Sequence, residues 1–81
     1  MSIDFNSKSI RKEFGAVVRK RRHKLGLSQE AFAEKANIHR TYVSGIELGK
    51  VDIGLTVSYK IALALKLPLS KIIKDIENSL G

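Results

Sequence analysis

Eighty-one residues, 43% of them apolar, allow one hydrophobic core, small enough that stability rests on close helix packing or on association between copies. Fifteen Lys and Arg against eight Asp and Glu give a net charge of +7, which points to a polyanionic partner. Without cysteine there is no disulfide or thiolate metal site, no apolar run approaches the roughly 20 residues of a membrane span, and the start MSIDFNSKS has no signal-peptide pattern. The expectation is therefore a cytoplasmic protein with no membrane contact.

Residues 1–6 lack periodicity and are expected to fray, although Ile3 and Phe5 are able to fold back on the core. A first helix is predicted over residues 7–25, capped by Ser7 or Ser9 and ended by Gly26. Its apolar face is Ile10, Phe14, Val17, Val18 and Leu25, interrupted by Arg21, whose stem is expected to lie on that face with its head in water. The run RKRRHK from Arg19 to Lys24 covers more than one turn, so it cannot face a single ligand. It reads as a solvated basic face with a general attraction to phosphates, and His23 within it has no partner at metal or catalytic spacing.

The stretch SQEAFAEKANIHRTYVSGIELG, residues 28–49, organises the rest. Ser28 caps a short helix over 28–36 with Phe32, Ala33 and Ala36 on one face, and Ile38, Val43 and Ile46 repeat that logic in a helix over 39–48. Between them the chain reverses within about three residues at Asn37, a residue type that tolerates a left-handed backbone. Ala33 is small where two steeply crossing helices touch, so the second helix is presented to solvent.

A fourth helix is predicted over 55–66, with Leu55, Tyr59, Ala62 and Leu65 on its core face and Ile61 and Leu63 to the sides. Pro68 restarts the chain at a helix start. The fifth helix, over 69–78, carries Leu69, Ile72, Ile73 and Ile76, with Leu80 beyond it. The account is all-α: five helices, no strand, one domain over 1–81, since a single Pro and no low-complexity tract leave no linker.

Gln29, Ala33, Asn37, Ile38, Val43 and Ile46, followed by Glu47 and Gly49, resemble the helix-turn-helix of lambda-repressor-like (Cro/C1, XRE) regulators, over about Phe14 to Ile73. The segment IHRTYVSGIELGK is most similar to the controller proteins of restriction-modification systems, whose second helix commonly opens Arg-Thr-Tyr. The resemblance implies a five-helix DNA-binding domain in a bacterial or phage nucleoid. It also implies that Gln29 touches a phosphate and braces the reading helix, and that Arg22 and Glu47 form a partly buried ion pair. Two departures limit it: relatives place basic residues where this chain has Leu48 and Val51, so the target sequence is expected to differ.

DNA is read at the exposed N-terminal end of such a helix. Arg40, Thr41, Ser44 and Gly45 are therefore the expected base contacts. Arg40 is suited to guanine O6 and N7, and Gly45 to close backbone approach, at a helix-propensity cost of order 1 kcal/mol. Ser28, Gln29, Tyr42, Lys50 and His39 are the expected phosphate contacts, His39 standing where Ser or Thr usually caps.

Leu63, Leu69, Ile72, Ile73, Ile76 and Leu80 exceed what an outer helix of about ten residues buries in a monomer. They are expected to form a two-fold interface, with Ile73 the residue best able to turn inward instead. Two reading helices about 34 Å apart would then address palindromic DNA. The competing function is an antitoxin that uses the same fold and binds a protein toxin through its terminal helix. No nucleophile, base and orienter are recognisably spaced and no phosphate-cradling Gly loop occurs, so neither enzyme activity nor a cofactor, metal or small-molecule substrate is expected.

Overall fold

The computed structural model describes residues 6–81, so the expectation for Ile3 and Phe5 lies outside the described residues. These form α1 (Ser7–Lys24), α2 (Gln29–Ala36), α3 (Arg40–Glu47), α4 (Leu55–Ala64) and α5 (Leu69–Leu80), with no strand among them. The core is Phe14 and Val18 of α1, Phe32, Ala33 and Ala36 of α2, Val43 and Ile46 of α3, Ile61 and Ala62 of α4 with Leu65 just beyond it, and Ile72 and Ile76 of α5. α1 packs on α3 and α5, α2 on α3 and α4, and α4 on α5.

Four helices end in one device. After α1, α2, α3 and α4 a residue with positive φ follows: Gly26 at 71°, Asn37 at 55°, Gly49 at 72° and Lys66 at 57°. In each case the next amide bonds back to the carbonyl five residues earlier: Leu27 to Arg22, Ile38 to Ala33, Lys50 to Gly45 and Leu67 to Ala62. This is the Schellman closure, which satisfies carbonyls that have no helical donor. It places Leu27, Ile38 and Leu67 where their side chains pack against the core.

Several boundaries and faces differ from the sequence reading. The cap of α1 is Asn6, whose Oδ1 accepts from the amides of Lys8 and Ser9 at 3.0 and 3.3 Å, in place of Ser7 or Ser9. The head of half-buried Arg21 also bonds to carbonyls: its Nε donates to Leu65 O at 3.0 Å, with Lys66 O at 3.5 Å from Nη2. It thus covers the carbonyls at the end of α4, where Lys66 adopts a left-handed backbone without being Gly. α4 ends earlier than expected, and of its expected core face Ala62 and Leu65 are buried. Leu55 and Tyr59 are 78% and 57% exposed, while Ile61 is fully buried and stacks with Leu65 one turn on. Four-residue spacing fits both faces of this helix, and the deciding factor is that α2 and α5 approach it on the Ile61 side.

The expected interface divides in two. Ile72 and Ile76, at 0% and 5% exposure, belong to the monomer core, and Ile73, expected to be the one to turn inward, is 44% exposed. A helix seated on both α1 and α4 buries a wider stripe than one lying on a single neighbour, so Ile72 and Ile76 face inward together. Leu63 and Leu80 stay exposed and Leu69 is half-buried. α5 also runs two residues further than expected, to Leu80, and Pro68 is its N-cap, one position before the first turn.

Candidate nucleic-acid interface

The geometry of α3 is set from behind. Gly15 of α1 and Gly49 at the end of α3 let two backbones meet. A Cβ on Gly15 would lie 2.3 Å from Ile46 O and 2.7 Å from Glu47 O, and one on Gly49 would lie 2.9 Å from Lys12 Cα. Arg11 Nε donates to Gly49 O at 3.3 Å across the same seam. Sequence reading left Gly15, Gly49 and Arg11 without this role, because the need for a missing side chain appears only when the partner backbone is placed.

Glu47 anchors the end of α3. Arg22 Nε donates to its Oε2 at 2.6 Å and Nη2 to its Oε1 at 2.9 Å, a bidentate fork, while Arg22 Nη1 donates to Leu27 O at 2.8 Å. Gln29 Nε2 adds a third donor to Glu47 Oε1 at 3.2 Å. The two ionic side chains are 9% and 3% exposed. Their hydrogen bond, aided by the Glu47 charge and opposed by burial, raises Arg22 above its ordinary pKa. Burial pushes Glu47 up, but hydrogen bonds from Arg22 and Gln29 and the charges of Arg22 and Arg19 outweigh it, leaving its carboxyl below the usual range.

A buried pair of this kind fixes an angle more than it adds net stability, because desolvation offsets most of the attraction. Removing one partner strands a buried charge, so Arg22→Ala or Glu47→Ala alone is expected to cost about 3–5 kcal/mol and the double variant less than the sum. Denaturant unfolding of the four proteins reads the coupling, and strict additivity would contradict it. The depressed Glu47 contributes stability that is complete above the unfolded carboxyl value of about 4.3 and is lost as pH falls through the lower folded-state value. Glu47→Gln should flatten acid unfolding in that window. Arg22 stays protonated throughout and adds no slope there.

In front of this anchor α3 presents its start. Arg40 and Thr41 are exposed and Ser44 is half-buried, while Val43 on the opposite face has no exposure. The helix begins at His39, whose Nδ1 accepts from the Thr41 amide at 3.2 Å, so the ring caps α3 and its Nε2 edge remains outward. Tyr42 packs its ring on the core, and Lys50 is exposed just past the Schellman closure. At the start of α2, Ser28 Oγ takes the Ala31 amide at 3.0 Å, leaving the amides of Gln29 and Glu30 ahead of the first intrahelical bond. Ser28, Gln29, His39, Arg40 and Thr41 thus lie at the starts of two consecutive helices, with Ser44 one turn on and Lys50 beyond the end of α3.

Gln29 and Gly45 each have a structural partner. The Gln29 carboxamide is turned onto Glu47, so it braces the reading helix, and only its second amide hydrogen is free for an anion. Gly45 has a packing role: the place of its missing Cβ is taken by Val51, whose Cγ2 lies 2.6 Å from that position. Of the RKRRHK run, Arg21 and Arg22 are held by structural contacts, and Arg19, Lys20, His23 and Lys24 remain exposed.

A short helix packed against α1 and α2, with its polar start outward and its acidic end locked to a buried arginine, defines a helix-turn-helix module. The chain belongs to the helix-turn-helix family, whose signature matches residues 18–72, and groups within it with the restriction-modification controller proteins. It is 42% identical over 69 residues to the control protein C.MunI of a Mycoplasma species, covering 84% of this chain and 93% of that one. Among solved structures it is similar to the restriction-modification controller C.AhdI from Aeromonas hydrophila (TM-score 0.74, 34% identity, 76% of this chain and 94% of that one). It is also similar to the controller C.Esp1396I, solved as a tetramer in complex with its natural 35 base-pair operator (TM-score 0.73, 30% identity, 83% and 93%). No described helix is long and apolar enough to cross a membrane.

Proposed function

We propose that this protein is a sequence-specific transcriptional regulator, a restriction-modification controller that binds palindromic operator DNA as a homodimer in the cytoplasm and carries out no catalysis. The observation that supports this most directly is the exposed start of α3, held rigidly by Arg22 and Glu47 on a domain whose net charge is +7. In this reading α3 enters the major groove, with Arg40 forking onto guanine O6 and N7 and Thr41 and Ser44 meeting neighbouring base edges. The free amides at the start of α2, with Ser28, His39, Tyr42 and Lys50, hold phosphates on either side and fix the register.

The two-fold interface is carried by the exposed members of the expected set, Leu63, Ile73 and Leu80, with half-buried Leu69 and with Tyr59 one turn before Leu63. Relatives that are controllers, one of them a tetramer on its operator, favour this over the antitoxin reading.

Arg40→Ala is expected to weaken operator binding by about 1–3 kcal/mol while leaving random-sequence DNA nearly unaffected. Lys50→Ala should weaken both equally and lower the salt slope by about 0.9 for each half-site. Titration of labelled duplexes at two salt concentrations separates the two. Equal loss on both DNAs for Arg40→Ala would make it a phosphate clamp and remove the basis of sequence reading.

A further inference from the structure

The reading face of α3 has an apolar half. Thr41, Ser44 and Leu48 share one side of the helix at spacings of three and four, and Leu48 keeps helical dihedrals (φ −85°, ψ −3°), so that register runs unbroken to it. Leu48 is 61% exposed and lies outside the core. Between Ser44 and Leu48 on this side comes Gly45, and the space its side chain would fill holds the Val51 isopropyl group. The Lys50 amide bonded to Gly45 O at 2.9 Å fixes the chain that delivers Val51 there. Beyond Ser44 this side of the helix therefore offers the exposed Leu48 side chain and, over Gly45, the half-buried Val51 isopropyl group, both apolar.

The one apolar feature on a base edge in the major groove is the thymine 5-methyl group. We propose, resting on the DNA-binding reading above, that Leu48 and Val51 are specificity-determining residues that select thymine by its methyl group, next to the base pairs read by Arg40, Thr41 and Ser44. A cytosine at that position has no 5-methyl group to bury, so the same contact favours thymine over cytosine.

The test replaces thymines one at a time by deoxyuridine, which removes the methyl and keeps every hydrogen bond, in a duplex chosen by selection from random DNA. One or two positions in each half-site should bind about fourfold more weakly, the effect of exposing one methyl-sized group. That loss should vanish in Leu48→Ala or Val51→Ala and persist in Arg40→Ala, all three judged folded by circular dichroism. If deoxyuridine is silent at every position, or its effect survives in both apolar variants, the proposal is overturned while operator binding stands. If no duplex is selected over random DNA, the regulator reading fails and this inference with it.

Discussion

Ile72→Asp is expected to leave the protein unfolded at neutral pH and 25 °C, whereas Ile73→Asp, one residue along, should leave it folded and monomeric. Ile72 is among the largest fully buried side chains, and truncating such a residue costs about 2–5 kcal/mol before any charge is considered. An unpaired buried carboxylate adds several more, and a domain of this size holds only about 4–12 kcal/mol in all. The same substitution at Ile73 starts from a side chain that is 44% exposed, so it removes little from the core and places a charge on the apolar face shared with Leu63 and Leu80. Circular dichroism reads the first outcome, and sedimentation at micromolar concentration together with operator titration reads the second. A folded Ile72→Asp monomer would mean that α5 docks on a partner and not on α1 and α4.

Gly15→Ala should destabilise the protein although intrinsic propensity argues the reverse. In an unencumbered helix the change gains about 0.5–1 kcal/mol. Here the new methyl would stand 2.3 Å from Ile46 O, a backbone atom that moves only if α3 moves. Overpacking against side chains costs about 1–3 kcal/mol and occasionally more, and a backbone neighbour belongs at the upper end, so the clash outweighs the gain by about 2 kcal/mol. A fall in Tm of about 8–16 °C follows for a domain of this size. Because the seam also carries Arg11 on Gly49 O, operator affinity should fall in the protein that remains folded. A raised Tm would show that α1 and α3 are not in backbone contact.

The periodic parts of this fold were legible in the sequence for physical reasons. Apolar spacing marked all five helices, Asn37 announced its own left-handed turn, and Ser28 its cap. What escaped depended on objects that a linear pattern does not contain. Leu55 and Tyr59 match a core face as well as Ile61 does, and only the direction from which α2 and α5 approach decides between them. The stripe that α5 buries takes in both Ile72 and Ile76 because the helix has two neighbours, which its own sequence does not contain. Arg21 has the pattern of a snorkelling cation, and the carbonyls that hold it belong to Leu65 and Lys66, at a helix end that lacks Gly.

The site divides along the same line. Arg22 and Glu47 are far apart in the chain and nothing in their spacing brings them together; family resemblance named the pair, and the fork geometry with Gln29 gives its physical basis. A Gly at position 45, inside a helix, has no local explanation in the sequence. Val51, six residues on, supplies that explanation, and the Schellman closure through Gly49 is what carries it there.

Selection of bound duplexes from a random DNA pool tests the central claim most directly. The account predicts a palindrome with a guanine in each half-site and half-site centres about 34 Å, one helical turn, apart. Arg40→Ala, carried through the same selection, should lose preference at that guanine alone. Enrichment of no sequence over the starting pool, or of a single half-site without its two-fold mate, would contradict a homodimeric reader of operator DNA.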